Sequence, residues 1–170
     1  MLKFLFRRLT ADPRRGAELF DAVTRIARRP DWYLAGGVPD TLDGRFAVLA
    51  TVTALIMTRL ERDGSDGDLV SVALTERFVE VMEAEHREMG LGDPSLGKQV
   101  RKLVGSLAQR AQLWRDATAG TVDWAAATKQ SLYRDEPSDG ATSAASALLQ
   151  AFWDKLQNHG LEDIQKGRIE

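Results

Sequence analysis

Hydrophobic residues along this chain recur three and four positions apart, and no stretch alternates apolar and polar residues between hairpin turns. Helices are therefore predicted throughout. Leu2, Leu5, Phe6 and Leu9 follow the i, i+3, i+4, i+7 rule, with Lys3, Arg7 and Arg8 on the other side beside Phe4, which reads as a short amphipathic helix. Asp12-Pro13 opens a second helix with proline at its first position. Leu19, Phe20, Val23, Ile26 and Ala27 form its core-facing stripe, Arg14, Arg15, Arg25 and Arg28 its exposed side, and Arg28-Arg29-Pro30 its end. The most apolar helix spans about Thr41 to Arg62. Asp63 to Asp68 reads as a loop by composition, followed by a helix with Val70, Ala73, Leu74, Phe78, Val81, Met82 and Met89 on one side. Gly90 and Gly92 end it, and Asp93 caps the next with Pro94 behind it. There Val100, Leu103, Val104, Leu107, Ala111 and Trp114 face inward, leaving Lys98, Arg101, Lys102, Gln109 and Arg110 outside. A shorter helix covers about Val122 to Tyr133. A last one carries Ala145, Leu148, Leu149, Phe152 and Leu156 before a polar tail from Asn158 to Glu170.

These elements predict an all-α protein: a single compact bundle of about six or seven helices with a short amphipathic N-terminal helix. A length of 170 residues suits one core. The expected organisation is an N-terminal segment, residues 1–12, and one helical domain, residues 13–170, with a linker at about 134–142 that is rich in Asp, Pro, Ser and Gly. The longest apolar run, Phe46 to Met57, falls short of the roughly twenty residues that cross a bilayer, so it reads as a buried core helix. The start lacks the h-region and cleavage site of a signal peptide, and the protein is expected to stay where it is made.

One stretch is more specific than a helix pattern. Trp32-Tyr33-Leu34-Ala35-Gly36-Gly37-Val38-Pro39-Asp40-Thr41-Leu42-Asp43-Gly44-Arg45-Phe46 gathers aromatics, glycines, a proline and charges between two helices. Gly36-Gly37 supplies a sharp turn, Pro39 fixes φ, and Asp40 is expected to cap the following helix with Asp43 three residues on, in the manner of a capping box. Gly44 then falls in the first turn of a helix, where glycine costs roughly 0.5–1 kcal/mol relative to alanine. Close approach of another backbone or of a partner is the expected reason.

Charge and composition exclude more than they name. A formal net charge of −2 is not that of a dedicated nucleic-acid binder, and no DNA partner is expected, although the first thirty residues and the Lys98 to Arg110 helix form basic patches. Without cysteine there is no disulfide, thiolate nucleophile or thiolate metal site. Glu83-Ala84-Glu85-His86 holds the one Glu-x-x-His; a carboxylate-bridged di-iron bundle needs two, and Glu83 and His86 are expected to be surface groups near a helix end. Asp63 to Asp68 resembles a calcium loop, but the twelfth position from Asp63 is Leu74 rather than glutamate. No Gly-x-Ser-x-Gly, Gly-x-Gly-x-x-Gly or P-loop appears. No enzymatic activity, cofactor or metal is expected. The amphipathic start could meet an anionic membrane surface through Leu2, Lys3, Phe4, Leu5, Phe6, Arg7, Arg8 and Leu9, or pack on the protein's own core or a sister subunit.

Trp32-Tyr33 followed by Gly37-Val38-Pro39-Asp40-Thr41-Leu42-Asp43-Gly44-Arg45-Phe46, with Arg87-Glu88-Met89-Gly90, Gly92-Asp93 and Gly97-Lys98 downstream, resembles the ubiquinol-cytochrome c chaperone family over roughly Ala17 to Thr118. The departure is at Leu107-Ala108-Gln109-Arg110, which keeps only the arginine of an aromatic-Tyr-Gly-Arg element. The resemblance implies an all-helical, non-enzymatic assembly factor of the cytochrome bc1 complex, respiratory complex III. Such a factor receives newly made cytochrome b, with a small partner subunit and the ribosome as further candidate partners. Trp32, Tyr33, Asp43, Arg45, Arg87, Lys98, Arg101 and Lys102 are then the expected client-binding residues. The implied location is cytoplasmic, peripheral on the inner membrane of a bacterium, or the mitochondrial matrix side in a eukaryote. The competing expectation is an RNA- or ribosome-associated adaptor, or a membrane-surface lipid-binding protein, using the same basic faces.

Overall fold

In the computed structural model, which describes residues 16–90 and 92–170, every regular element is helical. In chain order these are α1 (Ala17–Ala27), α2 (Asp31–Leu34), α3 (Leu42–Leu60), a 3₁₀ turn (Glu61–Asp63), α4 (Gly64–Glu88), α5 (Asp93–Thr118), α6 (Trp124–Leu132), α7 (Ala141–Gln157) and α8 (Leu161–Gln165). The amphipathic Met1–Leu9 segment, Arg14, Arg15 and the expected helix start at Asp12-Pro13 lie outside the described residues.

The bundle is built around α3. Nearly all of its residues from Ala47 to Leu60 are buried, because α1, α4, α5, α6 and α7 each pack against a different side of it. An apolar stripe would leave one face to solvent; α3 is apolar all round, and that is the sequence of a helix surrounded on every side. Its longest seam is with α5. Polar groups inside this core are paired: Thr51 Oγ1 donates to Ala47 O (2.7 Å) and meets Ser131 Oγ (2.6 Å), and Ser131 Oγ accepts from Trp114 Nε1 (3.1 Å). Since the Thr51 proton goes to Ala47, Ser131 donates to Thr51, and all three side chains are satisfied. Trp114 is fully buried and its ring lies 5.1 Å from that of Trp124.

Four expectations are corrected here. Asp63 to Asp68 is not a loop: Gly64, at φ +57°, turns the chain in one residue, and α4 starts there with Asp66 and Asp68 near its positive end. Gly67 makes that possible, since a Cβ there would stand 2.0 Å from Leu60 O. The polar tail is not free: Ile164 and Ile169 are fully buried and Glu170 pairs with Arg25 of α1 at 2.8 Å. Two isolated isoleucines among charges carry no periodic signal, so the docking was invisible in the pattern. Arg110 is not an outer residue: it lies over the Phe46 ring (5.8 Å) and donates to Ser131 O through Nε (3.2 Å) and a terminal nitrogen (2.8 Å), tying α5 to α6. Its burial lowers its pKa below that of a solvated guanidinium. Finally, Asp40 does not cap α3. Thr41 does, its hydroxyl accepting from Gly44 N at 3.2 Å, while Asp40 pairs with Arg45 at 2.7 Å.

Residues 133–140 are irregular and lie against the turn between α2 and α3. The Tyr133 hydroxyl donates to Gly36 O and Arg134 pairs with Asp43 at 3.0 Å.

Candidate functional site

The turn between α1 and α3 is shaped by backbone contacts. Trp32 is 3 % exposed and its Nε1 donates to Ile26 O (2.8 Å), while the Tyr33 hydroxyl donates to Ala27 O (2.9 Å). Both aromatics thus tie α2 back over the end of α1. Gly44 has no room for a side chain, because its Cβ would stand 1.9 Å from Pro39 O. The close approach expected at this position is that of the chain's own turn. The result is a rigid ledge that presents Leu34, Asp40, Leu42, Asp43 and Arg45 outward.

That ledge forms one wall of a groove of about 1130 Å³. Phe20 and Thr24 of α1, with Phe46 and Leu49 of α3, make the floor; Val81, Met82, Glu85, His86 and Met89 from the second half of α4 make the far wall; and Leu103 of α5 closes it. The floor is continuous with the core through Phe78, whose ring lies 6.4 Å from Phe20 and 6.0 Å from Phe46. Three large apolar side chains stand uncovered on the rim: Leu34 at 83 %, Leu42 at 61 % and Met89 at 53 % exposure. Met89 was expected to face the core; α4 ends at Glu88, so the helical spacing no longer applies to it.

Two polar groups in the wall are unusual. His86 is buried rather than on the surface, with Nδ1 2.7 Å from Met82 O; a carbonyl only accepts, so Nδ1 carries the proton and Nε2 is left as an acceptor. Arg77 also lines the groove, and its Nε is buried without a hydrogen-bond partner among the described residues. Such a donor costs about 1–3 kcal/mol until an acceptor reaches it. On the rim, the hydrogen bond from Arg45 holds the Asp40 carboxyl below its ordinary 3.8, and burial raises the Tyr33 phenol above 10.0, with the Asp40 charge adding to it. Among the described residues no three His, Asp or Glu side chains converge as a metal site requires.

Of the residues singled out in the sequence, the groove gathers Tyr33, Asp43 and Arg45. Trp32 lies beneath them in the core and has no free surface of its own. Arg87 is exposed between the wall residues His86 and Glu88, outside the lining. Lys98, Arg101 and Lys102 are exposed on one side of α5, beside the lining residues Gln99 and Leu103. The structure adds Leu34, Leu42, Arg77 and His86, none of which stood out in the sequence as a contact residue. Exposure of an apolar residue at a helix end leaves no mark in a periodic pattern.

A family model described as ubiquinol-cytochrome C chaperone matches residues 34–148, more than half of the chain. The chain belongs to the ubiquinol-cytochrome c chaperone family. The family match begins just after Tyr33, later than the Ala17 at which the resemblance was expected to start and beyond Trp32-Tyr33, and it runs past Thr118 through α6 and into α7. It takes in Leu34, Leu42 and Met89 on the groove rim and the whole of α3 to α5. The fold is similar to that in the crystal structure of the Cbp3 homolog from Brucella abortus, with a TM-score of 0.76 over 100 % of this chain and 96 % of that one, at 24 % identity. At that identity the likeness speaks for the fold. No curated protein matches the sequence. Membership of the ubiquinol-cytochrome c chaperone family gives the chain a chaperone role in the assembly of ubiquinol-cytochrome c reductase, respiratory complex III. No described helix is long and apolar enough to cross a membrane.

Proposed function

We propose that this chain is a non-enzymatic assembly chaperone that receives newly made cytochrome b at a membrane surface, holding an apolar segment of it in the groove between α2, α3 and α4 until assembly proceeds. The observation that carries this reading is the groove itself, which joins the Trp32 to Phe46 turn to the end of α4 and leaves Leu34, Leu42 and Met89 uncovered on its rim. Uncovered apolar groups beside a concave apolar floor favour a partner that removes them from water. Tyr33 and Arg45 are anchors of the kind that dominate interfaces, and a carbonyl or carboxylate from the client supplies the acceptor that Arg77 Nε lacks. Lys98, Arg101, Lys102 and Arg87 meet acidic client residues or lipid phosphates at the edge, and Trp32 contributes by fixing the ledge. The basic, amphipathic Met1–Leu9 segment holds the protein on an anionic leaflet, the cytoplasmic face of the inner membrane in a bacterium.

The test is co-purification of cytochrome b after crosslinking in membranes. Leu34→Asp combined with Met89→Asp should cut recovery at least tenfold with the helical circular-dichroism spectrum unchanged, and Arg45→Ala should lower it several-fold. Undiminished recovery with the double variant would sink the groove as the client site. For the membrane half, removal of residues 2–9 should abolish sedimentation with anionic liposomes, and equal sedimentation of both forms would refute it.

A further inference from the structure

A second groove, of about 380 Å³, lies at the opposite end of α4, lined by Gly16, Leu19, Leu69, Val70, Ala73 and Leu161 among others. Beside it Leu69 is 42 % and Val72 45 % exposed, one helical turn apart on α4. Two acidic groups border it: Asp66 is in the lining, and Glu18 is exposed next to the lining residue Leu19. Neither carboxylate pairs with another described residue, whereas Asp63, Glu162 and Asp163 all do. The backbone at Gly16 is seated tightly, since a Cβ there would stand 2.6 Å from Ala73 O. Gly16, where the described chain begins, is thus part of the lining of this groove.

We propose that the Met1–Leu9 segment occupies this groove in the lipid-free protein. Its stripe of Leu2, Leu5, Phe6 and Leu9 matches the uncovered Leu69 and Val72, and Lys3, Arg7, Arg8, Arg14 and Arg15 complement Glu18 and Asp66. Reach does not limit it. With the intervening backbone fully extended, Leu9 lies at most about 24 Å from Gly16, and any bend brings it nearer. A short amphipathic helix is unstable alone in water and gains its stability from such packing. The seat uses the same apolar stripe that enters a bilayer, so seat and membrane compete. The seat stands without the membrane reading proposed above; only the competition rests on it.

The absence of native cysteine makes a direct test available. Leu5→Cys with Leu69→Cys, oxidised at low protein concentration without lipid, should form an intramolecular disulfide in several-fold higher yield than a control pair of Leu5→Cys with Leu34→Cys in the client groove. A yield no higher than the control, or a product found only between chains, overturns the seat. Independently, Leu69→Asp should speed tryptic cleavage after Arg7 and Arg8 several-fold, with Val72→Asp as the second variant if the first does not fold; unchanged cleavage in a folded variant also overturns it. Phosphatidylglycerol vesicles should lower the disulfide yield. If the chain sediments with vesicles and the yield is unchanged, the competition is wrong; if it does not sediment at all, the membrane reading fails instead.

Discussion

The two sides of α3 bury similar apolar material to opposite ends. Toward α5, α6 and α7, Ala47, Thr51, Ala54 and Leu55 are sealed, and the polar cluster of Thr51 with Ser131 and Trp114 has every donor satisfied. Toward the α2 ledge and the end of α4, Leu42, Phe46 and Leu49 line an open groove, Leu34 and Met89 stand in solvent, and Arg77 Nε has no partner among the described residues. A well-packed seam maximises stability, whereas the groove leaves apolar area and a donor unspent for something else to cover. The difference places the sealed core behind α3 and the open groove of the proposed client site in front of it.

The comparison breaks most severely at the back. Trp114→Ala removes a fully buried indole and the donor to Ser131, and should cost about 3–5 kcal/mol, read as a lower denaturant midpoint at unchanged m. Gly44→Ala comes next, because its Cβ overlaps Pro39 O and either α3 or the ledge must shift; a loss of about 1–3 kcal/mol is expected together with weaker client recovery. The groove variant Leu34→Asp with Met89→Asp sharpens the contrast from the other side. Its unfolding free energy should stay within about 0.5 kcal/mol of the parent, since both side chains are already in water, while binding falls. The smallest effect belongs to the Asp40–Arg45 pair on the rim. Its folded carboxyl value is lowered by the Arg45 hydrogen bond, so the pair favours the fold above the unfolded value and fades as pH falls through the folded one. A nuclear magnetic resonance titration should place the Asp40 midpoint below 3.8 and return it to the ordinary value in Arg45→Ala, with no change in stability from this pair between about pH 5 and 8.

The long helices were legible because each carries many repeats of one spacing, and an error at a single position does not disturb the sum. The specific turn was legible for a different reason: Gly36-Gly37, Pro39 and Gly44 are residue types whose backbone demands are few. Yet the choice between Asp40 and Thr41 as the α3 cap was not, since both side chains can accept a hydrogen bond and one residue of offset decides which reaches Gly44 N. Of the groove lining, Tyr33, Asp43 and Arg45 were singled out in the sequence because they lie in that turn. Leu34, Leu42 and His86 were not, because an apolar residue or a lone histidine reads the same whether it faces a core or a groove.

By itself, then, the sequence determined the all-helical class, the order of the main helices, the surrounded position of α3 and the family, all of which depend on local spacing or on contiguous runs of residues. Tertiary structure alone decided that the Asp63–Asp68 run begins a helix, that Ile164 and Ile169 dock the tail, that Arg110 turns inward, and that the Trp32 to Phe46 turn and the end of α4 face each other across one groove. Each of those outcomes depends on what another part of the chain brings within a few ångströms, and spacing along a single strand of sequence holds no record of that distance.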